Sequence, residues 1–176
     1  MIGTAAAEAR ALPLVAPGLL RRMASFVYEG LLLFGIGLIP GGLGALFVAL
    51  TGHSHPLQSD TALRLITLAI YAVYFSWFWS ARGQTLPMQT WHIRVVTTKG
   101  EPLSQGRALM RFIASCAWVA PAAWVASANH WSRWQGLAAV GVGVVTYALL
   151  ALVHPQRQFW HDALCGTRLI DARMAT

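Results

Sequence analysis

The chain has 176 residues, 56% of them hydrophobic and only 11% charged. A soluble domain carries about 25% charged residues. This composition, with a mean hydropathy of +0.53, therefore excludes an ordinary soluble protein and predicts a single all-α integral membrane domain. The net charge of +7 does not signal nucleic acid, because the basic residues flank apolar runs and form no stripe with interleaved aromatics.

In chain order, residues 1 to 20 contain Glu8, Arg10, Pro13 and Pro17 and no apolar stretch, which predicts a short flexible tail. The run after Arg21 and Arg22 lasts too long for a signal peptide, so it reads as an uncleaved first span over about 23–50. Three more spans follow at about 61–80, 107–127 and 134–153, each apolar around its whole circumference. Four transmembrane helices result, with short interfacial elements on the cytoplasmic side. Gly35, Gly37, Pro40, Gly41, Gly42 and Gly44 crowd the first span. They predict a kinked helix packed closely on the fourth, where Gly136, Gly141 and Gly143 offer a matching small face; a broken helix lining a site is the alternative.

The inner loop, 81–106, contains TLPMQTWH, suited to the interface, and the β-branched run IRVVTT followed by the turn signal KGEP. The tail, 154–176, spaces Phe159, Trp160, Ala163 and Leu164 as a short interfacial helix that Gly166 would end. Of the 13 Lys and Arg, all but Arg64 and Arg133 fall in the first tail, the inner loop with the start of span three, and the last tail. That asymmetry predicts cytoplasmic termini at a bacterial inner membrane. Trp77 and Trp79 would anchor the inner interface, and Trp131 and Trp134 the outer one.

The acid inside the first span, Glu29, is the residue that asks for an explanation, because intramembrane carboxylates are costly and by default functional. It stands seven residues after Arg22, about 10 Å along a helix at 1.5 Å per residue. Arg111, one turn into span three, would reach the same depth. The expected site is an inner-leaflet cluster of Arg22, Glu29, Arg111, His161 and Asp162, charges that satisfy one another. No cofactor is implied. Cys116 and Cys165 have no metal or disulfide spacing. His53, His55 and His130 are the candidate imidazoles, too few in type and spacing for a metal site. His92, His154 and His161 read as interfacial hydrogen bonders, and no nucleophile pairs with His161 and Asp162, so no enzyme is expected.

Arg22 seven before Glu29, GQTL (83–86) with IRVV (93–96), PLS (102–104) leading into RALMR (107–111), and HDALCGTRLI (161–170) together resemble the RDD family of membrane proteins over about residues 19 to 171. The resemblance implies that Arg22, Glu29 and Asp162 are the family's arginine and two aspartates, with Gly83, Gln84, Thr85, Gly166 and Thr167 as supporting motif positions. Two departures stand out. Glu29 replaces an aspartate, and Pro87 and Met88 occupy places where relatives carry glycine and a basic residue, so contacts made there by relatives do not carry over. The resemblance implies transport of an ion or small ligand, with sodium/proton exchange suggested for some members, by a homo-oligomer or a subunit of a membrane complex. The alternative it leaves is a non-catalytic adaptor or accessory subunit. The lipid bilayer is the one partner that composition itself predicts.

Overall fold

The structure, a computed structural model, describes residues 15–53, 59–129, 131–155 and 158–174. Four long helices dominate: α1 (Leu19–Thr51), α2 (Asp60–Ala81), α4 (Gln105–Ala128) and α5 (Arg133–Val153). Between α2 and α4 lie a five-residue helix, α3 (Leu86–Thr90), and strand β1 (Ile93–Thr97); after α5 come α6 (Trp160–Leu164), β2 (Thr167–Asp171) and a 3-10 turn. Three helical segments, Leu19–Thr51, Thr61–Ala81 and Trp134–Val153, are long and apolar enough to cross a membrane. Helix α4 is as long but less apolar, interrupted by Arg107, Arg111 and Ser115. It packs against both α2 and α5, while α1 lies against α2 and α3.

Helix α1 has 33 residues, so at 1.5 Å per residue it extends about 50 Å, well beyond a hydrocarbon core of about 30 Å. It starts earlier than expected, at Leu19 after an N-cap at Gly18, which brings Arg21 and Arg22 into its first turn. The stretch ahead of it is not a loose tail either. Pro17 is fully buried, and Val15 O accepts from Asp171 N at 2.9 Å. Residues 1–14 lie outside the described residues.

The close glycine contact also differs from expectation. A Cβ added at Gly37 would lie 2.6 Å from the Tyr71 hydroxyl of α2, whereas nothing lies within 4 Å of one at Gly35, Gly41, Gly42 or Gly141. Tyr71 Oη donates to Leu33 O at 2.6 Å. Leu33 is one turn before Gly37, so the missing side chain lets the ring reach that carbonyl. The close glycine contact at Gly37 thus joins α1 to α2.

A second correction concerns the tail, whose TRLID segment is a strand. It pairs antiparallel with β1, from Ile93 opposite Asp171 to Thr97 opposite Thr167, adding a two-stranded ribbon to an otherwise helical protein. Apolar Trp79, Met88, Ile93, Val95, Leu103, Ala108, Phe112 and Leu169 pack together beneath it. The packed core thus sits at the end of the helices where the ribbon lies, while side chains such as Leu31, Phe34, Leu46, Val142 and Val153 are left exposed along the helices, a surface suited to lipid. Trp79 belongs to that core at 5% exposure. It is not an interfacial anchor, although Trp77, Trp131 and Trp134 are exposed.

Gly83 is the turn that lets β1 return to α2. Its φ is +67°, its Cβ would lie 2.9 Å from Val95 O, and its own carbonyl accepts from Val95 N at 2.8 Å. Gly166 is also left-handed, at φ +61°, but has open space around it. Gly83→Ala should therefore cost more than Gly166→Ala, which bears only the left-handed penalty of roughly 1–2 kcal/mol. Thermal unfolding of the two purified variants checks the order.

Candidate functional site

The polar residues collect at the ribbon end. Helix α1 buries three side chains, Arg22, Ser25 and Glu29. They recur at i, i+3 and i+7, one face of a helix, so α1 turns its polar stripe inward and its apolar surface outward. Helix α4 supplies Arg111 and α6 supplies His161 and Asp162, all buried.

Arg111 and Asp162 form the centre. Arg111 Nε donates to Asp162 Oδ1 at 2.6 Å, with the aspartate side chain at 0% exposure. The guanidinium lies over the Trp79 ring, 4.1 Å from its centroid, a cation–π contact that offsets desolvation. Thr167 Oγ1 stands 3.2 Å from Asp162 Oδ1 and from Asp162 O. Burial alone would raise the Asp162 carboxyl, but the charge of Arg111 and hydrogen bonds from Arg111 and Thr167 hold it below the usual carboxylate range.

His161 extends this group. Its backbone N–H donates to Tyr147 Oη at 3.0 Å, and its Nδ1 lies 2.6 Å from the same hydroxyl. With Tyr147 donating to Nδ1, the proton sits on Nε2, 3.6 Å from Asp162 Oδ1. The ring stacks with Phe159 at 5.6 Å between centroids. Burial, outweighing the nearby carboxylate, pushes the imidazole down to about 4, so it is neutral at pH 7.

Glu29 forms a separate group, and here the expected pairing is overturned. Its carboxylate accepts from Tyr74 Oη at 2.8 Å and from Thr85 Oγ1. Arg111 goes to Asp162 instead, and among the described residues no ion pair reaches Glu29. Thr85 is the N-cap of α3, where its hydroxyl also accepts from Met88 N. The GQT motif is thereby explained residue by residue: Gly83 turns, Gln84 Nε2 donates to Ile93 O at 2.7 Å, and Thr85 joins the loop to α1.

Arg22 stands between the groups. Its Nε donates to Pro17 O at 2.7 Å and its guanidinium lies 5.5 Å from the Phe159 ring centroid. Among the described residues, Arg22 Nη1 and Asp162 Oδ2 are both buried with no hydrogen-bond partner, which is uncommon for charged groups.

Sequence reasoning missed a third group. Arg21 forms an ion pair with Asp171 and donates to the carbonyls of Trp91 (2.5 Å) and His92 (3.1 Å). Arg173 Nη2 reaches the same carboxylate at 2.9 Å. Hydrogen bonds from Arg173 and Arg21 hold the Asp171 carboxyl well below its ordinary value. Also missed was Gln158, fully buried, whose amide donates to Leu169 O and accepts from Leu169 N, standing in for a neighbouring strand. The adjacent arginines 21 and 22 and the IDAR ending were the only sequence signals for the first of these groups.

Of the candidate imidazoles, His53 Nδ1 lies 2.6 Å from Thr51 O at the end of its own helix; His55 and His130 lie outside the described residues. Among the described residues no three His, Cys, Asp or Glu stand together as metal ligands.

Two predictions follow from this geometry. Removing one partner of a buried ion pair costs about 3–5 kcal/mol, because the other charge is left alone. Asp162→Asn should therefore lower thermal stability strongly, while adding Arg111→Met to it should restore part of the loss, read from unfolding midpoints in detergent. The second concerns pH. The folded value of His161, about 4, lies below its unfolded value of about 6.5, so the unfolded chain binds the extra proton first. This group's contribution is present above pH 6.5 and lost as pH falls toward 4. Midpoints measured from pH 7 to 4 should drop in the wild type and drop less in His161→Asn.

The model of the RDD family matches residues 16–166, which include Arg22, Glu29, Arg111 and Asp162. The chain belongs to the RDD family. No curated protein and no solved structure matches it.

Proposed function

We propose that this RDD-family protein moves an ion or small ligand across a membrane, with cation or proton exchange as the leading form. Arg22, Glu29 and Asp162 are the site, and the protein works as an oligomer or as a subunit of a larger membrane complex. In this reading α4 is a fourth span, both termini face the cytoplasm of a bacterial cell, and the ribbon end lies at the inner leaflet. The basic residues favour that orientation, being concentrated at the ribbon end. No bond-making chemistry is assigned to the site.

One observation carries the proposal. Glu29 is a carboxylate in a helix apolar enough to span a membrane, buried to 7% exposure and held by two hydroxyls, with no ion pair to it among the described residues. Hydroxyl donors can follow a change of partner at a carboxylate, whereas an arginine pair would be broken by it. The unused Arg22 Nη1 and Asp162 Oδ2 add buried polar capacity in the same region.

The other reading, an adaptor that holds a partner, draws on the one-sided placement of the polar groups: from Gly30 to Thr51, α1 has no charged residue. Proteoliposome flux separates the two. Glu29→Gln keeps the size of the side chain and an acceptor for one hydroxyl, so the folded protein should persist while ion-dependent flux falls to that of empty vesicles. Wild-type protein that supports no flux, but recovers the same membrane protein in repeated mild-detergent pulldowns, would favour the adaptor.

A further inference from the structure

Arg64 takes no part in the groups at the ribbon end. It sits one turn into α2, ten residues from Tyr74 or about 15 Å along the helix, toward the end away from the ribbon. Its side chain is exposed, and among the described residues it has neither an acidic partner nor a hydrogen bond. A guanidinium near the end of an apolar span is stabilised by an anion at the lipid headgroup level.

Arg64 lines a groove between α1 and α2. Gly37, Gly41, Leu63, Leu68 and Tyr71 form most of the remaining wall, and the volume is about 370 Å³, within the range of small-molecule sites of about 300–1,000 Å³. The local sequence makes the groove. Gly37 and Gly41 fall one turn apart on the same face of α1 and supply no side chains. Tyr71 closes one end with its ring while its hydroxyl is used on Leu33 O, so the wall stays apolar except at Arg64 and Thr67. A Cβ built at Gly41 meets nothing within 4 Å.

An occupant must be apolar along its length and negatively charged at one end. Both helices are apolar enough to be membrane spans, so the groove opens toward lipid, where phospholipids with acidic headgroups have that form. We propose that the α1–α2 groove holds one acyl chain of an anionic phospholipid, with its phosphate bound by Arg64. This site is distinct from the Glu29 and Asp162 groups and does not depend on which leaflet it faces.

The test uses the full chain in nanodiscs of equal phosphatidylglycerol and phosphatidylcholine with matched acyl chains, followed by native mass spectrometry of the released protein. Wild type should retain phosphatidylglycerol preferentially. Arg64→Gln should lower that adduct about fivefold, the effect of one basic residue at an anionic surface, and Gly41→Leu, which fills the groove without touching the charge, should do the same. Arg64→Lys should keep most of it, and unchanged circular dichroism in each variant separates lost binding from lost fold. An adduct unaffected by both Arg64→Gln and Gly41→Leu overturns the site. Loss in Arg64→Gln alone also overturns it, since the contact would then be with a headgroup and not with a chain in the groove.

Discussion

The buried pair of Arg111 and Asp162 is the constraint on which the rest of the structure depends. Asp162 is wholly shielded from solvent, so its charge can be kept only where Arg111 reaches it. That fixes α6 against α4 and brings Thr167, the first residue of β2, up to the same carboxylate. Strand β2 then lies along β1, β1 is turned by Gly83, and the N-cap of α3 donates to Glu29 of α1. Arg21 closes the circuit from α1 back to Asp171 at the end of β2. A chain of polar contacts thus passes through α4, α6, β2, β1, α3 and α1 in turn.

Polar contacts take this role because apolar ones discriminate poorly in a bilayer. A leucine gains little by exchanging lipid for a neighbouring helix, whereas an unpaired polar group in hydrocarbon is costly. Helix α1 shows the consequence. Its buried side chains are Arg22, Ser25 and Glu29, and its large apolar residues face outward. The polar stripe covers the first three turns and fixes that end, and farther along Tyr71 of α2 packs over Gly37.

Position along each helix was legible in the sequence; direction around the helix was not. Arg111 and Asp162 are expected in one inner-leaflet cluster, and they do meet. Glu29 is expected in the same cluster but has other partners, because nothing in the local sequence distinguishes a facing arginine from the hydroxyls of Tyr74 and Thr85. Trp79 was read as an anchor for the same reason: its depth suits an aromatic belt, but its side of α2 faces Arg111. The glycines of α1 announced close packing without saying on which helix, and α2 has the tyrosine that uses it. IRVVT announced a strand through its β-branched residues, while TRLID lacked that signal and becomes a strand because β1, Gln158 and Val15 offer its backbone partners.

The two acids that the family resemblance treats as a pair are physically unlike in this chain. Asp162 has a guanidinium and a hydroxyl on one oxygen, so removing its charge would leave Arg111 buried and unpaired. Glu29 has hydroxyls only, and these can turn as its partner changes. Pro87 and Met88, which depart from the family pattern, strengthen the contrast. Pro87 occupies the first turn of α3, where its missing N–H costs nothing, and Met88 packs into the core with Trp79 and Ile93. A basic side chain at position 88 would bring a cation into that core, close to Thr85 and hence to Glu29. The apolar Met88 brings no fixed positive charge toward Glu29, which suits the exchange proposed for that carboxylate.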